Sequence, residues 1–197
     1  MTKTLTIHAA AAALIVVAGC GSDEPDLATR TAANGDEFNN ADVAFATHMI
    51  PHHAQALELV DLTMEHDLDP KVQQLSDDIR AAQTPEVETM AGWLIDWDEP
   101  IPETVRDHAH GDDTHTGSDS EMPGAMSADE MEELERARGD EFQTMWLELM
   151  IEHHEGAIEM AETEQTDGTF EPAVDLAASI EQSQQAEITR MEKLLDS

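Results

Sequence analysis

The sequence predicts an all-α fold, an antiparallel four-helix bundle built from two duplicated helical hairpins. Three observations predict it. Apolar residues recur at the spacing of one helical face in four successive segments. Tyr is absent and aromatics make up 4% of the chain, which is poor material for a β-sandwich. The two halves repeat at a constant offset of 101 residues: Met49/Met150, Ile50/Ile151, His52/His153, His53/His154, Ala56/Ala157, Glu58/Glu159, Leu75/Leu176, Ile79/Ile180, Gln83/Gln184, Glu86/Glu187, Met90/Met191 and Leu94/Leu195. A single hairpin cannot bury its own apolar face, so the two are expected to pack together. Helices 1 and 3 are then expected to run parallel, with matching residues at one height.

Each element has its own justification. Residues 1–19 carry Lys3, an apolar run from Ala9 to Ala18 and small residues before Cys20. That run is too short to span a bilayer and has the length of a signal-peptide core. Cys20 is the only cysteine and stands where a bacterial lipoprotein cleavage box needs it, so lipidation of Cys20 and export are expected. Residues 20–37 read as a flexible tether and residues 38–197 as the bundle. The first helix, from about Phe38 to His66, carries Phe45, Met49, His53, Ala56, Val60 and Met64 on one stripe. Asp69-Pro70 then reads as a cap followed by Pro at the first helical position. The second helix carries Val72, Leu75, Ile79, Val87, Met90, Leu94 and Trp97, closing hairpin one at residues 38–97. Pro51 and Pro85 lie inside these helices and are expected to kink them.

Residues 98–126 lack periodicity and are rich in Asp, His, Gly, Ser and Pro, as in a disordered acidic linker. Ser127-Ala128-Asp129-Glu130 is a capping-box signature that opens hairpin two at residues 127–197. The third helix is expected to run from there to about Glu164, stopped by Asp167-Gly168. Pro172 opens the fourth, which lasts to about Leu195.

The composition restricts partners. The chain has 197 residues with 44 Asp+Glu against 9 Lys+Arg, a formal charge of −35. Such a charge repels phosphate backbones and anionic headgroups, so neither nucleic acid nor direct membrane contact is expected, and membrane attachment rests on the lipid anchor. With one cysteine there is no intrachain disulfide and no Cys-based zinc site.

The chemistry is expected where polar residues occupy core positions. On a helical wheel with Met49 at zero, His53 falls at about +40°, inside the apolar arc, and His52 at about −60°, on its flank. With Ile79 at zero, Gln83 falls at about +40° and Glu86 at about −20°, among Leu75, Met90 and Leu94. Folding the hairpin at about residue 68 brings Met49, His52, His53, Gln83 and Glu86 to one layer. The second set (Met150, His153, His154, Gln184, Glu187) is expected in the same layer, with Met191 matching Met90. Imidazole with thioether is a soft donor set that favours copper, Cu(I) above all, though another divalent metal remains open. Met49, His52, His53, Met150, His153 and His154 are the candidate ligands. Gln83, Glu86, Met90, Gln184, Glu187 and Met191 are the candidate supporting shell or further ligands.

Other arrangements of the same residues remain open. The layer can be a metal-free His–Glu network that fixes helix register, making the protein a helical interaction module. A di-metal oxidase would use Glu-x-x-His on two helices. Here Met49, Ile50, Met150 and Ile151 stand three residues before the histidines, and none is a carboxylate. No nucleophile set for an enzyme is evident. His48, whose counterpart is Leu149, reads as peripheral. His108, His110 and His115 in the linker read as weak metal capture or as a solvated loop, and Met122 and Met126 share that ambiguity.

Met49-Ile50-Pro51-His52-His53-Ala54-Gln55-Ala56 and Met150-Ile151-Glu152-His153-His154-Glu155-Gly156-Ala157 resemble the motif of domain-of-unknown-function family 305. The resemblance extends from Phe38 to Leu195, linker excepted. It includes Gln83, Glu86, Val87 and Met90 and again Gln184, Glu187, Ile188 and Met191. It implies a ferritin-like bundle in an exported bacterial protein, and a link to copper binding and tolerance. The expected function is extracytoplasmic copper sequestration, tolerance or hand-on by a lipoprotein. Glu152 in place of Pro51 and the long acidic linker depart from the pattern without removing a candidate ligand.

Overall fold

The computed structural model describes residues 27–104 and 122–196. Cys20 and the expected signal peptide, and His108, His110 and His115, lie outside the described residues. Among those described, a two-stranded antiparallel hairpin, β1 (Arg30–Thr31) and β2 (Glu37–Phe38), precedes five helices. These are α1 (Asn40–Thr63), α2 (Pro70–Asp96), α3 (Ala128–Arg136), α4 (Asp140–Asp167) and α5 (Glu171–Leu195). The four long ones form the expected bundle. No described helix is long and apolar enough to cross a membrane.

Local signals set most helix ends. Asp69 caps α2 through the Lys71 N–H at 2.8 Å, with Pro70 at the first helical position. Ser127 and Glu130 form the expected capping box of α3. Gly168 follows the end of α4, and a Pro stands in the first turn of α5. α1 opens on a capping box that the sequence reading missed: Asn39 accepts from the Ala41 and Asp42 N–H groups, and Asp42 accepts from the Asn39 N–H at 2.6 Å. α1 and α2 run through Pro51 and Pro85 as continuous helices.

The expected third helix is two. Ala137 leaves helical geometry, and Gly139 takes a φ of +58° before α4 restarts. That left-handed conformation favours glycine, and the interruption lets α3 fold back onto α4.

The expected parallel arrangement of the first and third long helices is also overturned. The Trp146 indole N–H donates to the Leu59 carbonyl at 2.9 Å. His52 meets His153, and the Asn39 amide donates to the Asp167 carbonyl at 2.8 Å. Residue numbers rise along α1 as they fall along α4, so the two are antiparallel. Each hairpin reverses the chain, so α2 and α5 are antiparallel too; Arg190 of α5 holds Asp78 at 2.7 Å and the Lys71 carbonyl at 3.3 Å between them. The hairpins are therefore related by a pseudo-twofold that crosses the bundle between His52 and His153. The connection explains why. α1 is about 36 Å long at 1.5 Å per residue, a distance the segment between Trp97 and Asp140 easily covers. α4 need not start at the end where α2 stops.

This connection is only partly a linker. Glu99 pairs with Arg30 at 2.6 Å, which ties residue 99 to the hairpin. That hairpin also shortens the expected tether, since β1 and β2 already fold back within residues 30–38. Residues 122–126 form a strap over the crossing of α1 and α4, where Met126 is buried. The Gln55 side chain grips it twice, donating to the Met126 carbonyl and accepting from its N–H, both at 2.9 Å. Across the strap, Gly124 lies against Gly156, where an added Cβ would stand 2.0 Å from the Pro123 carbonyl oxygen. Gln55 and Gly156 are matched positions of the repeat, so the duplication departs from symmetry at the place the strap crosses.

The core divides in two. One apolar cluster holds Phe38, Phe45, Met49, Met90, Leu94, Trp97 and Phe170. The other holds Leu59, Leu75, Phe142, Trp146, Met150 and Met191. Buried polar residues lie between them: His52, His53, Gln55, Gln83, His153, His154 and Gln184.

Gly156→Ala is expected to destabilise the protein by about 1–3 kcal/mol, as forced overpacking does. Gly92→Ala, whose Cβ would meet nothing within 4 Å, is expected to stabilise α2, by about 0.5–1 kcal/mol. Urea denaturation of both variants checks the pair.

Candidate metal centre

The pseudo-twofold brings the four motif histidines together. All four are fully buried. The rings of His52 and His153 lie 3.7 Å apart between centroids with planes inclined by 33°, and His154 lies 6.4 Å from His153. His53 and His154 reach outward to α2 and α5. His53 Nε2 bonds Glu86 at 2.8 Å, and His154 Nε2 bonds Glu187 at 2.7 Å. Both glutamates are placed differently from the expectation. Their side chains retain 16% and 18% exposure, so each carboxylate stays partly hydrated at the edge of the layer.

These contacts decide where the protons sit. A carbonyl or carboxylate oxygen only accepts, so the nitrogen facing it carries the hydrogen. His52 donates from Nε2 to the Pro123 carbonyl at 3.1 Å. His53 and His154 donate from Nε2 to Glu86 and Glu187. In the neutral ring the lone pair then falls on Nδ1, and Nδ1 of His52, His53 and His154 is buried without a hydrogen-bond partner. Both ring nitrogens of His153 are likewise unpartnered, as are both polar atoms of the Gln83 amide and the Gln184 carbonyl oxygen. Buried polar atoms are rarely left so. Buried basic nitrogens, two of them on rings held from the other side by carboxylates, are the kind of arrangement by which proteins prepare imidazoles for a metal.

Electrostatics keep the lone pairs free. Burial, and then the charge on His53, push the His52 pKa down to about 3, against the Pro123 carbonyl, which opposes the shift. Burial holds His153 well below the usual histidine range, helped by His52, His154 and His53 and opposed by a contact with the His52 backbone that falls short of ordinary hydrogen-bond geometry. Both rings are therefore neutral near neutral pH, the state a ligand needs.

The methionines are placed less uniformly than expected. Met49, Met90, Met150 and Met191 are all fully buried. Because α1 and α4 are antiparallel, Met49 and Met90 fall in one half-core and Met150 and Met191 in the other. Thioethers thus flank the imidazole layer from both ends instead of lying within it. Among the described residues, no group of three or more His, Cys, Asp or Glu is gathered as a preformed cage. His48 is exposed, as expected of a peripheral residue. The strap contacts, Pro123 on His52 and Gln55 on Met126, were missed by the sequence reading. The glycine inside α4, Gly156, was their one legible trace.

The fold and this layer define a class: a two-hairpin helical bundle whose core is split by paired histidines. The family model for DUF305, a domain of unknown function, matches residues 42–195, and the chain belongs to that family. A DUF305 protein from Streptomyces coelicolor, named as a candidate secreted protein, shares 31% identity with a TM-score of 0.68, covering 79% of this chain and 92% of its own. A DUF305 fragment from Deinococcus radiodurans shares 29% with a TM-score of 0.67, covering 85% and 99%. CopM in its Cu(II)-bound form shares 25% with a TM-score of 0.64, covering 79% and 95%. CopM has also been solved with Cu(I) and with silver. No curated protein matches the chain in sequence.

The depressed pKa values set the acid behaviour. For His52 the unfolded chain binds a proton from about pH 6.5 downward and the fold resists until about 3. Its contribution to stability is present above pH 6.5 and is lost as pH falls through that window. Urea midpoints of the metal-free protein are expected to fall between pH 6.5 and 3, and less steeply in His52→Gln.

Proposed function

We propose that this protein is an extracytoplasmic copper-binding lipoprotein that sequesters or hands on Cu(I) through the buried histidine layer. The observation that carries the reading is the set of buried, unpartnered Nδ1 atoms at the pseudo-twofold, with His53 and His154 oriented from behind by Glu86 and Glu187. Copper is cargo here, taken up and released unchanged. His52, His53, His153 and His154 are the proposed nitrogen donors. Met49 and Met150 are the proposed sulfur donors, with Met90 and Met191 as further thioethers. Gln83 and Gln184 offer amide oxygens from the facing helices. Thioether and neutral imidazole select Cu(I). Hard cations such as Ca2+ want six to eight oxygens, as a rule, which this layer does not offer.

Export and anchoring belong to the same reading. The apolar run before Cys20 and the small residues around it support lipidation there and removal of residues 1–19. The candidate secreted relative from Streptomyces coelicolor and the copper-bound forms of CopM support a role outside the cytoplasm in copper handling. The charge of −35 suits a carrier whose partners are cations.

Two substitutions test the reading. In competition with a Cu(I) chelator, His53→Gln/His154→Gln is expected to lose the tight site. Affinity equal to wild type would remove copper from the layer. Glu86→Gln is expected to keep the stoichiometry and to weaken affinity by about 10–100-fold, as loss of an orienting partner does. Loss of a whole equivalent would instead make Glu86 a ligand.

A further inference from the structure

A second set of soft donors lies outside the buried layer. A groove of about 490 Å³ opens between the first half of α1 and the last half of α4, with the start of the strap along it. His48, Met122 and Met160 line it, one from each of α1, the strap and α4, together with Phe45, Glu164 and Asp167. His48 is exposed, and Met122 and Met160 are half-buried, so a solute can reach all three. His48 stands one helical turn before His52. Met122 precedes Pro123, whose carbonyl accepts from the His52 ring. The strap is therefore a wall shared by the groove and the layer.

A cluster of carboxyl groups also borders the groove. Glu164 is 1% exposed, lines the groove, and neither of its carboxyl oxygens makes a hydrogen bond of ordinary geometry. Burial, a side-chain contact with Asp42 that favours the protonated form, and the Asp42 and Asp167 charges push its pKa up to about 9, so Glu164 holds its proton near neutral pH. Asp42 already accepts from three backbone N–H groups: Asn39, Thr169 and Phe170. The backbone thus supports Asp42, and Glu164 keeps its proton beside it. Thioether and imidazole are the donors suited to a soft monovalent cation.

We propose that His48, Met122 and Met160 form a second, solvent-facing site for a soft monovalent metal ion, Cu(I) or Ag(I), adjoining the buried histidine layer across the strap. The site goes beyond the function proposed above and stands on different residues. A cation bound there waits beside the strap segment that hydrogen-bonds His52 of the layer, the position expected of an entry site.

The test uses Ag(I), which is not oxidised in air, and the whole chain carrying 13C-methyl methionine. Met122→Leu and Met160→Leu assign the two groove methyl signals, and circular dichroism confirms that each variant is folded. Both signals are expected to shift within the first two equivalents of Ag(I). They are expected to shift equally in His53→Gln/His154→Gln, and His48→Ala is expected to weaken the response about tenfold or more. Groove signals that stay still while Met49 and Met150 move would overturn the groove site and leave the buried one standing. Groove signals that move while Met49 and Met150 stay still would uphold the groove and sink the buried site.

Discussion

The structure depends on one constraint: four imidazoles must be kept inside a helical bundle with ring nitrogens that lack hydrogen-bond partners. Burying unpaired polar groups costs stability, and the surroundings are arranged to bear that cost. The apolar core is divided into two clusters, one on each side of the layer. Glu86 and Glu187 hold two rings by their outer nitrogens, and Pro123 holds a third. A layer used only to fix helix register has no need of lone pairs turned inward, because donors there would serve stability better.

The pseudo-twofold follows from the same constraint. Antiparallel α1 and α4 place His52 against His153 on the axis, with His53 and His154 one residue to either side. Parallel helices would bring matched residues to one height as well, but would put all the motif methionines on the same side of the histidines. In the observed arrangement each half-core receives its own thioether pair. The strap then covers the layer where α1 and α4 cross, with Gln55 gripping it and Gly156 making room.

The four long helices, the caps at Asp69 and Ser127 and the 101-residue repeat were legible because periodicity, Asp69-Pro70 and Ser127-Glu130 are local signals. The convergence of His52, His53, His153 and His154 was legible because matched positions of a duplicated hairpin pack alike. Helix direction was not, since a connection as long as residues 98–139 permits either order and the repeat itself is blind to it. The strap was hidden because its contacts are between a backbone carbonyl and side chains distant in sequence, Pro123 with His52 and Met126 with Gln55. The break at Gly139 was masked by an uninterrupted helical pattern on both sides. The partial exposure of Glu86 and Glu187 escaped the helical wheel, which gives direction but not how far a long side chain reaches toward solvent.

The most direct measurement of the central claim is X-ray absorption at the copper edge of the Cu(I)-loaded protein. Imidazole nitrogen together with thioether sulfur in the first coordination sphere is the predicted result. A sphere of oxygen donors alone, without imidazole or sulfur, would contradict it.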